Sequence, residues 1–256
     1  MQVTLVAIAK NEHLYINEWV EYYINLGFDH IYLYDNDNKD APYIGKYIDE
    51  KYARKITIVN IRGLHKPYLQ HTIYNSCYTL HRYHYDWFFF VDIDEFLVGI
   101  KNVKSFLSQQ KFNAFKQIRI KWQLFGDDNI IERDVKQPVF GFFKQVINDN
   151  RISNQTKSFI RGRQSITINS CHFVKNIITC LPSGKICGFD MDINNYENET
   201  IFVNHYMTKT LSEFIKQKLN RGDAVWSKRS IDLDYFWRIN KKTQDKLDYL
   251  KNMGLE

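Results

Sequence analysis

Long apolar runs are missing from this 256-residue chain. None exceeds five residues, a length reached at Trp87–Val91, whereas a helix that crosses a bilayer takes about 20. The opening, MQVTLVAIAKNE, has neither a basic start nor a small-residue cleavage site and reads directly as a first strand, so the expected location is cytoplasmic. Cysteine is scarce: Cys77, Cys171, Cys180 and Cys187 show no Cys-x-x-Cys spacing, and reduced, mostly buried thiols are expected. No internal repeat, low-complexity tract or linker-like stretch interrupts the chain, which is long enough for one large domain over residues 1–256 with a full core. A glycine-rich or D-x-D-x-[TV] phosphate loop is absent, which weighs against a metal-dependent nucleotidyltransferase or phosphatase. No nucleic-acid-binding motif is present and the net charge of +6 is spread through a long chain, which weighs against a nucleic-acid-binding module.

Aromatic residues, by contrast, are abundant: 18 Phe, 17 Tyr and 5 Trp make up 16% of the chain, a surplus that suggests clefts with stacking surfaces. From His205 onward eleven Lys/Arg face seven Asp/Glu, which leaves four of the six net positive charges in this segment. Such a tail suits phosphates or anionic lipid, and equally a solvated helical face.

The first half alternates strand and helix. VTLVAIA (3–9) is apolar but for Thr4, as a strand buried on both faces should be. A helix is expected over 10–27, with Leu14, Trp19, Tyr22, Tyr23 and Leu26 on one face and Gly27 as its stop. HIYLYD (30–35), a helical stretch over 43–53, KITIVNI (55–61), a helix over about 68–83 and WFFFV (87–91) follow. This alternation predicts parallel βαβ units with right-handed crossovers in a doubly wound, mostly parallel sheet flanked by helices. FKQIRIKWQLF (115–125) reads as a half-exposed strand. Beyond it, SFIRG, QSITI, CHFV and TIFVNHY predict short strands of a smaller added sheet over the site, and TLSEFIKQKLNRG (210–222) a helix with a Thr210/Glu213 capping box. The expected division is a nucleotide-binding half (1–125), an acceptor and metal-completing half (126–222) and a basic helical tail (223–256).

Ligands of open α/β sheets bind beyond the carboxyl ends of the strands, and three such ends are polar: AKNE (9–12), YDNDNKD (34–40) and DIDEF (92–96). If Asp92 and Asp94 are extended, period-two geometry points both carboxylates the same way. Hard oxygen donors so placed can hold Mg²⁺ or Mn²⁺, whose remaining positions go to water and substrate phosphate. A bare D-x-D is also an ordinary solvated strand end. His205, in Asn204-His205-Tyr206, read alone is an ordinary core histidine. Lys218 and Arg221, three apart, would project together from one helix.

Taken together, KNE…EWVEYY…LGFDHIYLYDN (10–36), WFFFVDIDEFL (87–97) and NHYMTKTLSEFIKQKLNRG (204–222) resemble glycosyltransferase family 92 and its bacterial family-2-like relatives of GT-A fold. The resemblance implies a metal-dependent hexosyltransferase that uses a nucleotide sugar, commonly a UDP-sugar. It implies Asp92, Asp94 and His205 around Mn²⁺ or Mg²⁺, with Asp94 the direct ligand and Asp92 closer to the ribose. Ala9, Lys10, Asn11 and Glu12 match the loop at the nucleotide, although Asn11 would also cap a helix. Asn36 and Gln70 are donor-site candidates. Lys157 and His172 resemble a Lys…His pair that meets diphosphate, donor or acceptor, and Lys218 and Arg221 would stabilise the departing diphosphate. Inversion, which the resemblance favours, requires a carboxylate base. Asp127 and Asp128 are the candidates, with Glu95 and Asp190 as rivals, although GDDN is also good turn sequence. Trp122, Phe125, Trp226, Tyr235 and Trp237 are candidate sugar platforms. Bacterial relatives build surface polysaccharide or lipopolysaccharide on glycan or lipid-linked acceptors, so peripheral contact with an anionic inner membrane face would suit the tail.

Overall fold

The computed structural model describes residues 1–255 apart from 65, 148–154, 189–195, 197, 220 and 222–230. Strands β1 (Val3–Ala9), β2 (His30–Asp35), β3 (Ile56–Asn60) and β4 (Trp87–Phe90) pair in parallel in the order β3-β2-β1-β4. Helix α1 (Ile16–Asn25) follows β1 and helix α2 (Leu69–His81) precedes β4.

Alternation along the strands divides the core. Val3, Leu5, Ala7 and Ala9 of β1 join Trp19, Val20 and Tyr23 of α1, with Trp87 and Phe89 of β4, on one face. On the other, Val6, Phe88 and Phe90 pack against Leu69, Ile73, Tyr74 and Cys77 of α2. Both faces of β1 and β4 are therefore covered, which is why these strands are near-continuous runs of apolar residues, Thr4 excepted. Trp87, Phe88 and Phe89 have no exposed surface, and each stabilises the fold by roughly 2–3 kcal/mol through burial.

The sheet continues past β4 as β8 (Thr156–Arg161), β6 (Gln117–Phe125), β10 (Phe202–His205) and β5 (Glu95–Val98), with β7 (Val146–Ile147) and β9 (Thr179–Cys180) beside β6. Here the pairing is mixed: β8 runs antiparallel to both β4 and β6, β10 is parallel to β6, and β5 is antiparallel to β10. The expected added sheet is thus an extension of the first one. The antiparallel pair of β6 and β8 needs no crossover helix, and among the described residues no helix lies between 126 and 204. QSITI and CHFV form no strand. The start of β6 is buried on both faces, Gln117 and Arg119 included.

Local differences have local causes. The helix expected from residue 10 starts at Ile16, because Asn11 takes a left-handed φ of 56° and residues 12–15 close a turn, Tyr15 N donating to the Glu12 carbonyl. The 43–53 stretch forms two 3₁₀ turns, Ile44–Tyr47 and Glu50–Lys55. After α3 (Val103–Leu107), α4 (Leu211–Gln217) has the expected Thr210/Glu213 capping box and stops before Lys218; α5 (Leu233–Trp237) and α6 (Gln244–Asn252) follow.

Gly27 ends α1 as expected, at φ 104°. A Cβ there would lie 2.4 Å from Nδ2 of Asn102, whose side-chain oxygen caps α3 by accepting from Ser105 N. Gly27→Ala should therefore lose about 2 kcal/mol, from the left-handed backbone and the displaced cap together. Urea unfolding of G27A, N102A and the double variant would test this, and the two losses should be less than additive.

Candidate active site

In the order β3-β2-β1-β4 the chain changes direction across the sheet between β1 and β4, and the crevice beyond the carboxyl ends at such a switch point is where α/β proteins place ligands. A cleft of about 220 Å³ opens there. Lys10 and Glu12 beyond β1, Asn36 beyond β2 and Gln70 in the first turn of α2 reach it. So do Asp92 and Asp94 beyond β4, with His172, His205, Lys218 and Arg221. Residues from seven separate stretches of sequence thus meet around one cavity.

The two aspartates share a direction for a reason other than the one expected. Strand β4 stops at Phe90, and residues 92–95 form a turn in which Glu95 N donates to the Asp92 carbonyl at 3.1 Å. Glu95 folds back and accepts from Asp92 N at 2.8 Å. Lys157, wholly buried in β8, ties the turn from beneath, with Nζ 2.7 Å from Asp92 Oδ2 and 3.2 Å from Glu95 Oε2. Gln70 Nε2 donates to the other Asp92 oxygen at 2.7 Å. Trp19 Nε1 donates to the Asp92 carbonyl and Tyr23 OH to that of Glu95. Burial works against the charge on Asp92, yet Lys157 holds this carboxyl below the usual range. Glu95, more deeply enclosed, is pushed well above its usual value by burial, which Lys157 only partly offsets. Glu95 has no exposed surface and does not line the cleft.

Asp94 lies on the cleft side. Lys218 Nζ contacts its Oδ2 at 2.5 Å and also donates to the Met207 carbonyl at 2.6 Å, while Asp94 Oδ1 faces His205 Nε2 at 3.4 Å. Against the effect of burial, Lys218 and His205 hold Asp94 well below the carboxylate range. Lys218 and Arg221 do not share a helix: α4 ends at Gln217, and a turn with Arg221 N on the Lys218 carbonyl brings both cations inward. Arg221 Nη1 donates to the Lys10 carbonyl at 2.7 Å and to Glu12 Oε1 at 2.9 Å.

His172 Nδ1 lies 3.2 Å from the Thr156 carbonyl. Because a carbonyl only accepts, Nδ1 carries the proton. Burial first and Lys157 second lower its pKa to about 4, so Nε2 is left as an acceptor. Trp122 packs against both His205 and His172, at ring distances of 4.4 and 5.2 Å.

Other expected residues fall elsewhere. Ala9 is buried core. Asn11 caps no helix N-terminus; its amide instead donates to the carbonyls of Lys216 and Gln217 at the end of α4. Asp127 and Asp128 are not part of the cleft wall. Asp127 is 2.5 Å from the wholly buried Lys246 Nζ of α6, and its own N–H donates to Asn240 Oδ1. Asp128, at φ 52°, accepts from Lys144 N and Gln145 N. The pair forms a turn, Asp127 anchors the C-terminal segment, and neither residue lines the cleft in which a base was expected. Of the aromatic candidates, Trp122 and Tyr235 line the cleft. Phe125 stacks in the core on Tyr206, and Trp237 packs on Phe236. Asp190 and Trp226 lie outside the described residues.

Sequence reasoning missed Lys209 and Ile231. Ile231 lines the cleft. Lys209 is 3% exposed, with Nζ 4.3 Å from the centre of the Tyr15 ring, and burial lowers its pKa. No periodicity marks it, because it sits in a left-handed backbone position ahead of α4.

For a divalent cation the donor chemistry fits in part. Both Asp92 oxygens are committed to Gln70 and Lys157, whereas Asp94 Oδ1 and His205 Nε2 face each other across the cleft wall. Among the described residues no group of three or more His, Cys, Asp or Glu converges as a metal site. A cation there would thus have two protein ligands and take its other oxygens from water and ligand, the usual habit of Mg²⁺.

A crevice at the switch point of a parallel sheet, lined by paired acids and the cations Lys10, Lys218 and Arg221, suits an α/β enzyme acting on an anionic substrate. The model of glycosyltransferase family 92 matches residues 6–248, and the chain belongs to that family. No curated protein matches it. Among solved structures it is similar to HddC from Yersinia pseudotuberculosis at 10% identity over 70% of this chain and 90% of that one, with a TM-score of 0.37. The same protein complexed with GMP-PN matches at 14% identity over 80% and 89%, with a TM-score of 0.38.

If the Asp127–Lys246 pair is structural, Asp127→Ala should lower stability by about 3 kcal/mol, because it strands a buried ammonium. Paired Asp127→Leu and Lys246→Met changes should recover much of that loss in chemical denaturation, and nucleotide binding by the folded D127A protein should be unchanged.

Proposed function

We propose that this protein moves a sugar from a nucleotide sugar, a UDP-sugar in the first instance, to a hydroxyl of a glycan or lipid-linked glycan acceptor. The single observation that supports the reading most is the convergence of Asp94, His205, Lys218 and Arg221 on one cleft at the sheet's switch point, in a chain of this family. Asp94 and His205 would hold the Mn²⁺ or Mg²⁺. Bound there, the cation would act as a Lewis acid that offsets the negative charge growing on the leaving diphosphate.

The chain's own residues supply the rest. Arg221, anchored on Glu12 and the Lys10 carbonyl, presents fixed positive charge where the diphosphate departs, and a preorganised charge of this kind stabilises the transition state without reorganisation; Lys218 adds a second cation on the same side of the cleft. Asp92, held by Gln70 and Lys157, offers carboxylate oxygen toward the ribose, with Lys10, Glu12 and Asn36 along the nucleotide side. Trp122 and Tyr235 give the cleft an apolar wall of the kind on which sugar rings pack. The His172 acceptor nitrogen orients a hydroxyl of donor or acceptor. Inversion is the stereochemical course proposed, and surface polysaccharide or lipopolysaccharide synthesis the setting. Of the C-terminal cations, Lys209, Lys218 and Lys246 are buried. Peripheral membrane contact would rest on the exposed Arg238, Lys241, Lys242 and Lys251.

Calorimetry with UDP, GDP and CMP, each with and without Mn²⁺, tests the reading. UDP should bind in a metal-dependent manner, and Asp94→Ala should weaken that binding at least 100-fold. Equal, metal-independent binding of all three nucleotides would overturn it.

A further inference from the structure

Lys218 Nζ occupies a position built for a cation. Its two partners, Asp94 Oδ2 at 2.5 Å and the Met207 carbonyl at 2.6 Å, are hard oxygen donors of the type that divalent ions take. The residue is 5% exposed, so water does little to neutralise the pair. The other oxygen of the same carboxylate faces His205 Nε2. A dication on Asp94 and His205 would share one carboxylate with an ammonium and be strongly repelled by it in this enclosed place.

We propose that Lys218 is a tethered placeholder for the divalent cation. Without metal its ammonium neutralises Asp94; when the metal binds, the ammonium leaves that carboxylate and turns to the diphosphate of the donor. The inference rests on the metal-dependent reading above. Its mechanical basis is the end of α4. Lys218 is the C-cap, and its four-carbon stem is flexible. Arg221 is anchored separately on Glu12 and the Lys10 carbonyl, so the turn stays in place when Lys218 lets go. Metal and donor then bind cooperatively. Metal alone must displace an ammonium that has no anion to receive it, whereas metal with diphosphate gives that ammonium a new partner.

Mn²⁺ titrated alone into the full chain, followed by electron paramagnetic resonance, tests this directly. Lys218→Met should bind Mn²⁺ at least tenfold more tightly than the unaltered protein. Lys10→Met, which removes a charge from the same cleft wall, should change affinity less than threefold. UDP should raise Mn²⁺ affinity more in the unaltered protein than in K218M. Thermal melts keep the test open if K218M is unstable: the variant should melt lower in chelator and gain more from Mn²⁺ than the unaltered protein does. Equal or weaker Mn²⁺ binding by K218M, or equal tightening by K10M, would overturn the placeholder role. Asp94→Asn separates the two levels. If it abolishes Mn²⁺ binding while K218M fails to tighten it, only the placeholder falls; if it leaves Mn²⁺ binding intact, the metal site at Asp94 and the placeholder fall together.

Discussion

Lys157 lies with no exposed surface between Asp92 and Glu95, and the geometry of the cleft depends on that one buried ammonium. An ion so enclosed is tolerated only when partnered and hydrogen-bonded, and both partners come from the turn that follows β4. Strand β8, which carries Lys157, is the antiparallel strand inserted between β4 and β6. The departure of the sheet from parallel pairing is therefore also what puts a positive charge under the aspartate turn. Burial raises the cost of separating these charges, and the same burial keeps the turn in one conformation.

A second set of charges ties the C-terminal segment to the sheet. Arg221 joins Glu12 and the Lys10 carbonyl beyond β1, Lys218 joins Asp94 beyond β4, and Lys246 of α6 joins Asp127 beyond β6. Three of the cations that give the segment its basic composition are thus the ones that attach it. Leu211, Phe214, Ile231, Phe236 and Leu250 complete the attachment as a separate apolar cluster. A segment that reads as a solvated tail becomes part of the wall of the cleft, and cations at strand ends serve both stability and ligand binding.

The parallel half of the fold was legible because its strands are covered on both faces, leaving near-continuous apolar runs punctuated by helical periodicity, as in VTLVAIA and WFFFV. The Thr210/Glu213 box and the Gly27 stop were legible for the same reason: each is a local interaction within a few residues. Most of the cleft could be listed in advance, since polar residues at the ends of buried strands have few other uses. The failures were of another kind. Asp127 and Asp128 follow a strand end just as Asp92 and Asp94 do, and nothing within GDDN says that its partner is a lysine over a hundred residues away. Asn11 has the composition of a helix cap, yet its partners are carbonyls of α4.

What the sequence determined by itself is therefore the set of parallel units, their order and the chemical character of their ends, because these follow from periodicity and short-range hydrogen bonding. Tertiary structure decided which acids face the cleft and which are spent on holding the chain together. That choice is made by buried ion pairs between residues 65 to more than 200 positions apart, Lys157 with Asp92, Lys218 with Asp94 and Arg221 with Glu12, and a charge declares its role only when its partner is in place.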